Sequence, residues 1–127
     1  MGQVARVAPL IEHTCLDNEY VIPTLAYFRA LLDHNLINRA AYILDNRDCE
    51  DFALKVMSDF RWHFGMNGIG LVLDNRYQDA VTGFVYSHAY NLCLFVDSQP
   101  LVLEPQTDDL WVPGTQGYRM QAGKLLL

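Results

Sequence analysis

The stretch Asp45-Asn46-Arg47-Asp48-Cys49-Glu50-Asp51-Phe52-Ala53 constrains this chain more than any other. Asp48 is a good N-cap and Asp51 adds negative charge to the first turn, so a helix should begin at Cys49. Cys49, Phe52, Ala53, Val56, Met57 and Phe60 then fall at i, i+3, i+4, i+7, i+8 and i+11. That is one continuous apolar stripe with a thiol at its top. The spacing predicts a helix to about Phe64, ended by Gly65 and buried against a sheet. The first turn of a helix offers backbone N–H groups without intrahelical partners and the positive end of the dipole, and both stabilise negative charge there. Cysteine is also a common small hydrophobe of protein cores, and position alone favours that plainer reading of Cys49.

Around this helix the pattern is uneven. Met1 to Tyr20 has no clear period, and Pro9 interrupts what there is; an irregular arm or a short helix is expected. Pro23 suits the start of a helix over Thr24 to Asn35, with Leu25, Phe28, Leu31 and Leu32 on one face. Asn38 to Tyr42 reads as a short connection, after which Ile43 and Leu44 enter the core. The second half reads as strands: Ile69 to Leu73, a turn at Asp74-Asn75-Arg76, Thr82 to Tyr86, and His88 to Val96 with both faces apolar. Asp97-Ser98-Gln99-Pro100 is a turn and Leu101 to Glu104 its return strand. Trp111 to Gly117 reads as loop and Tyr118 to Leu127 as an edge strand. Helices followed by an antiparallel sheet give an α+β fold. The 127 residues make one domain of ordinary size.

Composition removes several classes of function. A net charge of −6 argues against a nucleic-acid surface, which needs clustered Lys and Arg. No apolar run is long enough to span a membrane. Met1 to Leu10 lacks the pattern of a signal peptide, so a cytoplasmic location is expected. Three cysteines cannot all pair within one chain, and no Cys-x-x-Cys suggests zinc; reduced thiols fit best, with a Cys15–Cys93 bridge left open. His13, His34 and His63 show no metal-ligand spacing. Trp62, Phe64 and Trp111 read as covers of the core or of a cleft wall, and Cys93 as a buried hydrophobe.

His88 and Glu104 complete a set. A carboxylate at the end of a buried strand is costly to desolvate without a partner, and an imidazolium is its natural one. A thiol, an imidazole and an orienting carboxylate are the parts of a nucleophilic hydrolase. The hairpin alone leaves a gap. With its tip at Asp97-Ser98, Glu104 faces Asn91, three residues from His88 and roughly 10 Å away along a strand. A bulge, strong twist or diagonal contact has to close it.

The segments Asp48-Cys49-Glu50-Asp51-Phe52-Ala53, His88-Ala89-Tyr90-Asn91-Leu92 and Leu103-Glu104-Pro105-Gln106-Thr107-Asp108 resemble the C-terminal papain-like cysteine protease domain of the Marasmius oreades agglutinin family. The resemblance covers roughly Tyr42 to Asp109, and the family's sugar-binding trefoil has no counterpart here. It implies a papain-like fold in which N-terminal helices, the catalytic one among them, pack on the sheet. It also implies that Cys49 is the nucleophile, His88 the general base and later acid, and Glu104 the residue that orients the ring. Gln106 is a candidate oxyanion donor, with Asn46 and the Cys49 backbone N–H as alternatives. The family's calcium dependence makes Glu50, Asp51, Asp97 and Asp108, together with Asp109, candidate ligands, Asp48 less so because it caps the helix. The expected activity is hydrolysis of peptide or amide bonds in a peptide or protein substrate. Transglutamination or amidase chemistry would use the same parts. The reading from another class is a non-catalytic accessory or binding protein, for instance a phage-encoded one, that keeps the fold. A homodimer is compatible with the sequence.

Overall fold

The computed structural model describes residues 12–34, 48–120 and 123–127. The expectations for the N-terminal arm before residue 12, for the connection from Asn38 to Tyr42, for Ile43 and Leu44, and for Asn46 lie outside the described residues. In chain order the elements are β1 (Glu12–Thr14), α1 (Leu25–Leu32), α2 (Cys49–Phe64), β2 (Ile69–Gln78), β3 (Val85–Cys93), β4 (Leu101–Glu104), β5 (Asp109–Trp111) and β6 (Gly123–Leu126). The strands form one sheet in the order β1-β6-β2-β3-β4-β5. Every neighbouring pair is antiparallel except β1 with β6.

The helix α2 follows its sequence pattern. Asp48 stands at the N-cap, with its backbone N–H donating to Asp51 Oδ2 at 3.2 Å. Gly65 ends the helix with φ +65, a left-handed conformation that glycine adopts without penalty. Phe52, Ala53, Val56, Met57 and Phe60 are the buried residues of α2, which is the predicted stripe. Trp62 corrects the expectation of a core cover: it is 84% exposed. It lies off the stripe, on the face turned away from the sheet. Trp111 does pack, partly buried, against the core.

The sheet buries both faces along the second half of β3, Ala89 to Cys93, while Val85 to Ser87 stay exposed. On one side Ile69, Cys93, Leu101 and Leu103 meet Phe28 and Leu32 of α1 and Val56 and Phe60 of α2. On the other, Val72, Tyr90, Leu92 and Val102 are covered by Tyr118, Met120 and Leu127 rather than by a helix. Successive side chains of a strand point to opposite faces, so each set recurs with period two.

Three strand expectations are corrected. The C-terminal strand is not an edge: β6 lies between β2 and β1, and the short parallel β1 takes the edge. The segments Thr82 to Tyr86 and His88 to Val96 merge into one shorter strand, Val85–Cys93; Thr82 to Phe84 belong to the turn before it, and Leu94 and Val96 leave the ladder to donate to Gly68 O and Pro23 O. Asp74-Asn75-Arg76 is not a turn. β2 continues to Gln78, and between Asp74↔His88 and Tyr77↔Tyr86 the register shifts, so Asn75 and Arg76 together oppose Ser87. The turn signal was real, because Asp74 Oδ1 accepts from Arg76 N at 2.9 Å. The fold uses that local bond in a bulge instead of a chain reversal.

Candidate active site

Cys49, His88 and Glu104 meet although they sit on three elements. The helix start is held to the sheet by Asn91, whose buried side-chain amide donates to Ala53 O at 2.9 Å and to Gly70 O at 3.0 Å. Ala53 is one turn below Cys49, and Asn91 is three residues past His88 on β3. One side chain therefore fixes the thiol-bearing turn against the strand that carries the imidazole.

The β3–β4 register then brings in the carboxylate. The pairs Asn91↔Leu103, Leu92↔Val102 and Cys93↔Leu101, continued by one residue, set Glu104 opposite Tyr90. The hairpin reading had placed it opposite Asn91. The one-residue difference moves Glu104 to the face that carries His88 and Tyr90, and makes it a diagonal neighbour of His88. His88 Nε2 bonds directly to Glu104 Oε1. The turn that follows wraps the glutamate: Thr107 N and Asp108 N donate to Glu104 O, and Asp108 closes the turn at φ +64. With Nε2 committed to Glu104, Nδ1 is the ring nitrogen left for Cys49, whose thiol is near enough to bear on the charge of the His88 ring.

The electrostatics favour a charged imidazole. Burial, the largest single influence, lowers the His88 pKa, but the hydrogen bonds and charges of Cys49 and Glu104 outweigh it and raise the pKa to about 9. All three cysteines are free thiols, so the Cys15–Cys93 bridge left open by the sequence does not form. Cys15 is exposed, Cys49 half-buried and Cys93 fully buried, and burial pushes the Cys93 thiol far above its ordinary value.

The remaining candidates are placed differently. Gln106 is near Glu104, and the contact is made by its backbone N–H, which donates to Glu104 Oε2 at 3.4 Å. The proposed calcium ligands are dispersed. Asp51 is engaged in the α2 cap. Asp97 Oδ1 accepts from Leu25 N at the start of α1. Asp108 lies with Asp33 and Asp109 beside Arg29 and Leu32, where burial and then those two carboxylates lift its pKa to about 6. The neighbouring Asp48 carboxylate, together with burial, raises the Glu50 pKa. Among the described residues no three His, Cys, Asp or Glu side chains come together as a metal site.

A cleft of about 300 Å³ opens beside the imidazole, lined by Glu50, Leu73, Asp74, Asn75, Ser87, His88 and Ala89. Asp74 is buried and accepts from Tyr90 Oη at 2.6 Å, Arg76 N at 2.9 Å and Met120 N at 3.3 Å. The sequence reading missed this residue because it assigned Asp74 to a turn. It also missed a set of tyrosines around His88: Tyr77, Tyr86, Tyr90 and Tyr118. The alternation Tyr86-x-His88-x-Tyr90 was a usable signal, since period two puts all three on one face of a strand. Tyr77 and Tyr118 gave none. Tyr77 reaches that face through the bulge, and Tyr118 through a tight approach at Gly117, where φ is +91 and a Cβ would lie 1.7 Å from Gln78 O.

No family model and no curated protein matches the sequence. Solved structures do. The Polyporus squamosus lectin, crystallised with the human-type influenza-binding epitope Neu5Aca2-6Galb1-4GlcNAc, superposes with a TM-score of 0.68 at 16% identity, over 99% of this chain and 48% of the lectin. A PSL1a–E64 complex gives 0.66 at 17% identity, over 93% of this chain and 43% of the other. This chain thus spans less than half the length of either. At these identities the likeness concerns architecture, and the architecture is the papain-like α+β fold. No helix among the described residues is long and apolar enough to cross a membrane.

Proposed function

We propose that this protein is a cysteine hydrolase that cleaves peptide or amide bonds through Cys49, His88 and Glu104. The observation that carries the reading is the continuous chain of side-chain contacts from Cys49 to His88 to Glu104, at the first turn of a buried helix and beside an open cleft. The existence of an E64 complex for a protein with the same fold supports it.

The chemistry follows from the geometry. The Cys49 thiol gives its proton to His88 Nδ1, and the sulfur attacks the scissile carbonyl carbon. The oxyanion that develops is met by the first-turn N–H of α2, at the positive end of the helix dipole. As the tetrahedral adduct collapses, His88 returns the proton to the leaving nitrogen, the C–N bond breaks and a thioester remains. Water, deprotonated by His88, attacks the thioester; the carboxylic product leaves and Cys49 regains its proton. Glu104 holds the ring in the tautomer this requires and stabilises its cation. An amine in place of that water would turn the same intermediate to transamidation.

Alkylation by iodoacetamide near neutral pH tests the site. We expect Cys49 to react about tenfold or more faster than Cys15, although Cys15 is the more exposed thiol, with Cys93 slower still. His88→Ala should bring Cys49 down to the rate of Cys15. Equal rates for Cys49 and Cys15 in the wild type would sink the hydrolase reading and leave a binding protein that retains the fold.

Calcium binding is proposed on the family resemblance alone, and no step above runs through it. Glu50, Asp51, Asp97 and Asp108 do not converge in this fold. A Tm that climbs by several degrees in millimolar calcium supports binding, since a ligand specific to the native state stabilises it. A Tm unchanged by calcium and by chelator removes the proposal.

A further inference from the structure

His88 sits inside a box of tyrosine rings. Its ring centroid lies 4.7 Å from that of Tyr77, 5.8 Å from Tyr90, 6.2 Å from Tyr86 and 6.5 Å from Tyr118. A cation within about 6 Å of an aromatic centroid is attracted by the ring's quadrupole. Tyr77 and Tyr90 are inside that reach, and Tyr77 is the nearer. The two rings are held differently. The Tyr90 hydroxyl donates to Asp74. The Tyr77 ring packs edge-on against Tyr118 with centroids 5.1 Å apart, and the Tyr118 hydroxyl donates to Glu104 Oε1 at 3.4 Å, the oxygen that His88 uses.

We infer that Tyr77 is a positioning residue for the reaction proposed above. Its ring favours the charged imidazole between Cys49 and Glu104, and by packing on Tyr118 it holds the hydroxyl that donates to the Glu104 carboxylate. The β2 bulge is what turns Tyr77 onto this face, so the bulge serves the site. The inference rests on the triad reading and concerns how the imidazole is held, not which bond is cut. The other titratable groups that face His88 are Cys49 and Glu50 from α2, Asp74 from β2 and Glu104 from β4. Tyr86 and Tyr90 on its own strand and Tyr118 complete the set. None of these is a cation, so ring faces and acidic groups are what a protonated His88 meets.

The test is an NMR titration of the histidine ring protons in the purified protein, with the His88 signal assigned from a His88→Asn spectrum. Tyr77→Leu keeps apolar bulk and removes the π face. It is expected to lower the His88 pKa by about half a unit to one unit. Tyr77→Phe keeps the ring and should shift it less. The pH profile of Cys49 alkylation should move with the titration. Tyr118→Phe, which removes only the hydroxyl that reaches Glu104, should slow alkylation of Cys49 by about fivefold. An unchanged His88 titration in folded Tyr77→Leu overturns the inference. If that variant does not fold, a Tyr118→Phe protein that alkylates at the wild-type rate overturns it instead. Failure of the triad reading looks different: His88 in the wild type would titrate at its ordinary pKa and Cys49 would react no faster than Cys15, before any tyrosine is changed.

Discussion

Replacing Glu104 by glutamine is expected to lower kcat/KM on a peptide substrate by about 10²- to 10⁴-fold. The side chains are nearly the same size, so the volume buried at the end of β4 is preserved and the protein should fold. What changes is the proton on the ring. Glu104 accepts from Nε2, so the neutral imidazole carries its proton there and leaves Nδ1 open toward the Cys49 sulfur. A glutamine amide can present its NH₂ group to Nε2 instead. That places the proton on Nδ1, where the ring can no longer take one from the thiol. The negative charge that stabilises the imidazolium is also lost. Steady-state kinetics of the variant and a thermal melt separate these effects from unfolding. Wild-type turnover in folded Glu104→Gln would show that the His88–Glu104 bond has no part in catalysis.

The second large effect is on stability. The pKa of His88 is raised from the ordinary 6.5 to about 9 in the folded protein. The folded state therefore holds this proton more tightly than the unfolded chain does. The sign follows directly: the stabilisation is fully present below pH 6.5 and is lost as the pH climbs through about 9. The difference corresponds to roughly 3 kcal/mol, a large share of what a domain of this size has to spare. Urea unfolding at a series of pH values between 6 and 10 should show this decline. His88→Asn should flatten it. Cys49→Ala should keep the part that comes from Glu104 and lose the part that comes from the sulfur. A wild-type stability that stays level from pH 6.5 to 9 would contradict the placement of His88 between two acidic groups.

Much of the fold was legible in local pattern. The Cys49–Phe64 helix, its Asp48 cap, its Gly65 end and its buried stripe all follow from spacing and capping, because each depends on residues within a turn or two of each other. The α+β arrangement followed from the order of periodicities. The strands were harder to delimit. Asp74-Asn75-Arg76 carries the local chemistry of a turn, and only the presence of β3 alongside turns it into a bulge within a continuing strand. Tyr118 to Leu127 reads as an edge when only the chain order is known; β1 arrives from the other end of the sequence and covers it.

The same division runs through the site. By itself the sequence determined that a thiol tops an apolar helix, that an imidazole lies on a buried strand and that a carboxylate ends its partner. Their meeting was decided by tertiary structure, because it depends on strand register. A shift of one residue between β3 and β4 turns Glu104 from the face of Asn91 to the face of His88, and the seven residues between those strands do not set that register locally. Leu94 and Val96 bond to Gly68 and Pro23, so contacts from elsewhere in the fold fix where the ladder ends. The tyrosine box depends on the same kind of long-range choice, since the β2 bulge and the Gly117 approach are packing outcomes that no window of neighbouring residues contains.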